Sequence, residues 1–210
     1  MQRLTKSNNR QWPSSWHPNG KLLAFTEQNP QTGRDVMILP LEGNEAAGWK
    51  PGKPFVFLNS PSNEGMAQFS PDGRWIAYAS DESGRFEVYV RPFPGPGGKW
   101  LISTKGGLYP AWSPKGKELF YVEYSDSKIM VADYTLSGGA FKADKPRPWS
   151  SASVPLLQSG KPPFDVSPDG KRLAALLRPP EAQQTAIEDH LTFLFNFTDE
   201  LRRLVPAGKR

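Results

Sequence analysis

The sequence predicts an all-β fold: a β-propeller of about four four-stranded blades, forming an incomplete ring and ending in a short C-terminal helix. Three observations carry that expectation. A ten-residue motif occurs four times at blade-sized distances, an apolar run of strand length follows each copy, and the 210 residues include 22 Pro, 19 Gly and 7 Trp. Many turn formers beside many aromatics favour short strands joined by tight turns over helices.

The fullest copy is Phe69-Ser70-Pro71-Asp72-Gly73-Arg74-Trp75-Ile76-Ala77-Tyr78. The motif prolines Pro18, Pro71, Pro114 and Pro168 are spaced 53, 43 and 54 residues apart. Proline presets φ for the second position of a β-turn, and Asn19, Asp72, Lys115 or Asp169 takes the third. Gly20, Gly73, Gly116 and Gly170 follow, where a positive φ lets the chain double back, and a Lys or Arg comes next in every copy. The motif is therefore a hairpin corner, and Asp72 and Asp169 are turn acids rather than a catalytic carboxylate pair. Trp16, Phe69 and Trp112, two places before the proline, are expected to pack between inner strands.

Second strands are expected over 22–25, 75–79, 119–122 and 173–177, each apolar on both faces as a sheet packed between two others requires. Third strands follow over 35–39, 86–90, 129–133 and 191–197, and fourth strands over 54–58, 99–103 and near Trp149. These divide the chain into blades at 14–60, 66–104, 109–157 and 161–210, with 1–13 as a remnant of a preceding blade whose last strand lies near residues 2–5. The ring is then either the C-terminal part of a larger propeller or a four-bladed ring closed by its N-terminal strand, and the first is favoured because the chain opens in mid-blade. The run 92–98 is a rigid then flexible turn, and 178–189 a polar excursion. At the end, Thr198 caps a short helix with Asp199 and Glu200 in its first turn and Arg202 and Arg203 in its last.

Composition excludes several functions. No cysteine is present, so there are no disulfides and no thiolate chemistry. The two histidines, His17 and His190, are read as structural or solvent-facing and are too few for a histidine metal cluster, and no Gly-x-Ser-x-Gly elbow occurs. No catalytic, cofactor-binding or metal-ligating set is expected. The net charge of +5 is spread over turns and strand ends without a long basic run, which argues against nucleic acid as partner. No apolar run approaches the ~20 residues that cross a bilayer.

The Ser-Pro-Asp-Gly corner followed by Lys or Arg and an aliphatic-Ala-aromatic strand resembles the TolB-like, WD40-like (PD40) propeller repeats. The run Val88-Tyr89-Val90-Arg91-Pro92-Phe93-Pro94-Gly95-Pro96-Gly97-Gly98-Lys99-Trp100 and the ending over 191–206 resemble the C-terminal propeller of bacterial membrane-anchored serine/threonine kinases. That resemblance implies a sensor or interaction module on the extracytoplasmic side of a membrane protein. Kinase activity does not carry over, because the chain has no glycine-rich phosphate loop, His-Arg-Asp or Asp-Phe-Gly.

The expected function is binding of a protein or peptide by the loops between blades and between second and third strands. Asn63, Glu64, Asp81, Glu82, Arg85, Tyr109, Tyr124 and Asp126 are the candidate contact residues, their mix of Tyr, Arg and acids suiting a polypeptide partner. The alternative is the substrate-gating propeller of a prolyl-oligopeptidase-like hydrolase separated from its catalytic domain. Bare blade edges would add self-association.

Overall fold

Each copy of the repeat folds into an antiparallel sheet whose first strand runs into the proline corner and whose second strand leaves it. The computed structural model describes residues 3–44, 46, 48–137, 139–156 and 161–177. In the first blade β1 (Gln11–Trp16), β2 (Leu22–Asn29) and β3 (Gly33–Asn44) pair in order, and β5 (Phe55–Leu58) pairs with β3. The far end of β3 folds back on β4 (Gly48–Pro51) as an extra hairpin. The second blade is β6 (Glu64–Phe69), β7 (Trp75–Ser80), β8 (Glu87–Pro92) and β9 (Trp100–Leu101). The third is β10 (Leu108–Trp112), β11 (Glu118–Val122), β12 (Lys128–Ser137) and β14 (Arg147–Ser153), with β13 (Ala140–Ala143) again hairpinned on the overrun of β12. The fourth shows β15 (Phe164–Val166) and β16 (Leu173–Ala175). The strand expected over 191–197, the excursion over 178–189, His190 and the terminal helix lie outside the described residues.

All described regular structure is β, and the blades stack face to face. Ala24, Val36 and Ile38 of the first blade meet Phe69, Ile76 and Tyr78 of the second. Ala77, Val88 and Val90 of the second meet Trp112, Leu119 and Tyr121 of the third, and Phe120, Val122 and Val131 of the third meet Phe164 and Leu173 of the fourth. Middle strands supply both faces, so β7 is buried at every position. Burying each large side chain contributes about 1.5–3 kcal/mol, and the seams are therefore the core.

Inner strands are stitched across two seams as well. Phe69 N–H donates to Ser15 Oγ (3.0 Å), Gln68 Nε2 to Ser14 O (3.3 Å) and Trp112 Nε1 to Gln68 O (2.9 Å). The inner strands β6 and β10 each carry a bulge at the same repeat position, where Met66 and Tyr109 both adopt φ 56°.

Three expectations need correction. Trp16 is 55% exposed, whereas Phe69 and Trp112 are 7% exposed, because among the described residues no blade covers its side of the first sheet. No strand forms over residues 3–5; β1 starts at Gln11, inside the segment assigned to a preceding blade. The glycine column is also not uniform. Gly20, Gly73 and Gly170 have φ near +70° (71°, 70° and 73°), but Gly116 does not have a positive φ.

The cause lies in the acid column. In the second blade Ser70 Oγ donates to Asp72 Oδ1 (2.6 Å) and accepts from Trp75 N–H (3.0 Å), while Arg74 N–H donates to Asp72 Oδ1 (3.1 Å) and Gly73 N–H closes the turn on Ser70 O (2.8 Å). Ser167 and Asp169 repeat this clasp in the fourth blade. In the first, His17 and Asn19 substitute, with Lys21 N–H bonding Asn19 Oδ1 (2.9 Å). Lys115 has no acceptor to offer, so Gly116 N–H bonds Ser113 Oγ instead (3.0 Å) and the corner opens into a bend.

The corner glycines also receive the neighbouring blade. Asn19 N–H donates to His17 Nδ1 (3.1 Å), leaving Nε2 to donate to Gly73 O (3.2 Å), and a Cβ on Gly73 would land inside the imidazole. Gly20 meets nothing within 4 Å. Gly20→Ala is thus expected to cost about 1–2 kcal/mol from left-handed backbone alone. Gly73→Ala should cost at least about 1 kcal/mol more by overpacking the seam, measured as the difference in urea midpoints.

Candidate functional site

Antiparallel pairing puts the linkers between blades at the same end as the β2–β3, β7–β8 and β11–β12 connections, and this end forms the loop face. Its polar side chains are mostly committed to holding the blades together. Asn63 N–H and Nδ2 donate to the two carboxylate oxygens of Asp81 (2.8 Å each), Asp81 N–H returns a bond to Asn63 O (3.3 Å), and Arg34 N–H of the first blade donates to Asn63 Oδ1 (3.3 Å). Asn63 and Asp81 therefore form one clamp spanning two blades.

A second tie holds the linker that leaves the second blade for the third. Glu87 is buried at the start of β8 and accepts Gly106 N–H (3.0 Å), Ser103 Oγ, and Arg85 Nε (2.6 Å), while Arg85 Nη2 reaches Thr104 O (3.2 Å). Gly106, at φ +86°, lies so close to Tyr124 that a Cβ there would sit 2.8 Å from the tyrosine Cβ. Arg85, Glu87, Gly106 and Tyr124 thus form one continuous neighbourhood. Glu87 escaped the sequence analysis, although an acid stands at the equivalent place in the first blade as buried Asp35, which accepts from Asn29 and Thr32.

The remaining predicted contact residues divide by burial. Glu64 and Tyr109 are not surface loops: Glu64 opens β6 at 3% exposure, and Tyr109 lies in β10 at 5%. Burial raises the Glu64 carboxyl above its ordinary range; bonds from Ser60 N–H and Oγ oppose that, and the charges of Asp35 and Glu82 add to it. Burial likewise pushes the Tyr109 hydroxyl up. Glu82 is exposed and pairs closely with Lys99. Tyr124 is 57% exposed, and Asp126 beside it is exposed, with Lys128 at 3.9 Å and Ser153 Oγ holding its carbonyl (3.1 Å).

The opposite end carries the proline corners and a feature that sequence reasoning passed over. Where the third corner opens, a cleft of about 200 Å³ separates it from the second, lined by Asp72, Lys115, Lys117 and Tyr134 among others. Lys117 Nζ lies 5.6 Å from the centre of the Tyr134 ring. Burial pushes the Tyr134 hydroxyl up to about 12, with the Asp72 charge adding to the effect. Burial alone would raise Asp72, but bonds from Ser70 Oγ and Arg74, and the Arg74 charge, hold it below the usual carboxylate range. The sequence signal was available: Lys115 stands in a column otherwise filled by Asn or Asp. Among the described residues no His, Asp and Glu group is placed to hold a metal ion, and no helix is long and apolar enough to cross a membrane.

The sequence matches no family model and no curated protein. Among solved structures, a puromycin-hydrolysing peptidase from Mycobacterium tuberculosis aligns at TM-score 0.51 and 17% identity, over 76% of this chain and 27% of the peptidase. A protein assigned as a 6-phosphogluconolactonase from Bacteroides uniformis aligns at 0.51 and 18%, over 79% and 47%. TolB from Acinetobacter baumannii aligns at 0.43 and 18%, over 84% and 51%. The chain spans about half or less of the length of these structures. At such identities the likeness is one of fold, and the two alignments at 0.51 accord with the blades described above: the chain is a β-propeller in architecture.

The raised Glu64 carboxyl has a consequence for pH. The native state holds the Glu64 proton more tightly than the unfolded chain, so this group favours folding at acid pH and loses that contribution as pH rises from about 4.5 through its native value. Glu64→Gln should flatten that part of the stability profile, followed as the urea midpoint between pH 4 and pH 8.

Proposed function

We propose that the chain is a non-catalytic binding propeller that takes a protein or peptide partner on its loop face, as the sensing or interaction part of a larger signalling protein. The observation that supports this most is Tyr124, an aromatic side chain 57% exposed on a backbone packed against Gly106. An exposed tyrosine on a rigid seat offers large contact area and a hydroxyl at low ordering cost, which is the character of an interface anchor. Around it the clamp of Asn63 with Asp81 and the tie of Arg85 with Glu87 hold the linkers in place. The surface presented to a partner is therefore preformed, and Glu82 and Asp126 add exposed acids to the same face.

The resemblance to the propellers of membrane-anchored kinases extends the proposal to an extracytoplasmic position. The outer strands suggest self-association as a secondary behaviour, since Phe55, Val56 and Leu101 are exposed on β5 and β9. Immobilised chain should capture its partner from extracts of the source cells, and Tyr124→Ala with Asp126→Ser should weaken capture about tenfold or more while the thermal melt is unchanged. Equal capture by both proteins would reject the loop face as the binding surface.

A further inference from the structure

The cleft between the second and third proline corners stands apart from the loop face, and the repeat itself shows why it exists. At the seam between first and second blades, His17 fills the space over Gly73; at the seam between third and fourth, Ser113 Oγ would be 2.8 Å from a Cβ on Gly170. At the middle seam that closure is missing. Gly116, without the left-handed turn, has its own Ser113 and Glu118 as nearest neighbours, and the cleft occupies the gap. We propose that this cleft is a binding site for a carboxylate, the side-chain head of an aspartate or glutamate in an acidic peptide segment.

Four features carry the assignment. Lys115 and Lys117, both exposed, put two ammonium groups on one wall. Asp72 on the other wall is already engaged by Ser70 Oγ and by Arg74, whose Nε and Nη2 each lie 3.0 Å from it. Tyr134 lines the same cleft at 4% exposure, with the Lys117 ammonium over its ring. That phenol keeps its proton throughout the physiological range and acts as a donor. Finally, about 200 Å³ is below the ~300 Å³ where small-molecule pockets begin, so the cleft suits a side-chain head rather than a metabolite.

Charge selects for an anion. Asp72 is paired with Arg74, so Lys115 and Lys117 leave the lining positive, which matches a carboxylate.

The test is fluorescence anisotropy of labelled hexaglutamate peptide with the intact chain at low ionic strength. Lys115→Asp restores the Ser-Pro-Asp-Gly corner, so it should fold at least as well as the parent, yet it should weaken binding at least about tenfold. Tyr134→Phe should weaken it roughly fivefold with the melt unchanged. Lys53→Asp, the same charge change on the first blade, should leave affinity within about twofold. Equal losses for Lys53→Asp and Lys115→Asp would overturn the proposal in favour of diffuse attraction. Absence of hexaglutamate binding would overturn it as well, and so would binding of inorganic phosphate in its place.

Discussion

The structure depends on a small polar clasp that forms at three of the four proline corners. A side-chain oxygen before the proline and another just after it capture backbone N–H groups that the turn would otherwise leave unpaired, and the glycine next to them can then adopt a left-handed conformation. In the second blade these are Ser70 and Asp72, with Gly73 at φ 70°. The clasp is local, but its result is not. The turned glycine presents a side-chain-free backbone to the preceding corner, and His17 and Ser113 enter that space at two different seams. Corner chemistry thereby sets how closely neighbouring blades approach at that end of the molecule.

The four copies of the motif made the architecture legible, because each column has one physical task and the tasks recur at blade distances. Middle strands were legible for the same reason: runs such as Trp75-Ile76-Ala77-Tyr78 are apolar on both faces, and only a sheet covered on both sides buries them. Less was legible where position in the stack, rather than residue type, decides the outcome. Trp16 has the chemistry of Trp112, yet one is exposed and the other buried, since burial belongs to the blade that packs over it. The hairpins formed by the overruns of β3 and β12 had no counterpart in the motif and were not foreseen.

The candidate site was legible as a place but not as a set of roles. Loop composition pointed to Asn63, Asp81 and Arg85 as contact residues, and the structure uses them as internal ties, because linkers that cross between blades need side-chain partners for their backbone groups. Glu64 and Tyr109 sit at strand starts, where the sheet takes them inside. What remains outward is Tyr124 with Glu82, Asp126 and the exposed side chain of Arg85. The opposite end divides differently: the second and fourth corners keep acid and base in pairs, Asp72 with Arg74 and Asp169 with Arg172, while the first and third, with Asn19 and Lys115 in that column, have no acid. The two ends are therefore chemically distinct, one presenting exposed Tyr124 over tied linkers and the other combining two ion-paired corners with a basic cleft.

If the acceptor at the turn's third position is what sets the corner, then supplying one in place of Lys115 should close the third corner. A crystal structure of Lys115→Asp is the direct measurement. The account predicts Gly116 at φ near +70°, its N–H bonded to Ser113 O, the introduced carboxylate bonded to Lys117 N–H, and the cleft against Asp72 reduced. A corner that kept its bend, with Gly116 N–H still on Ser113 Oγ, would contradict it.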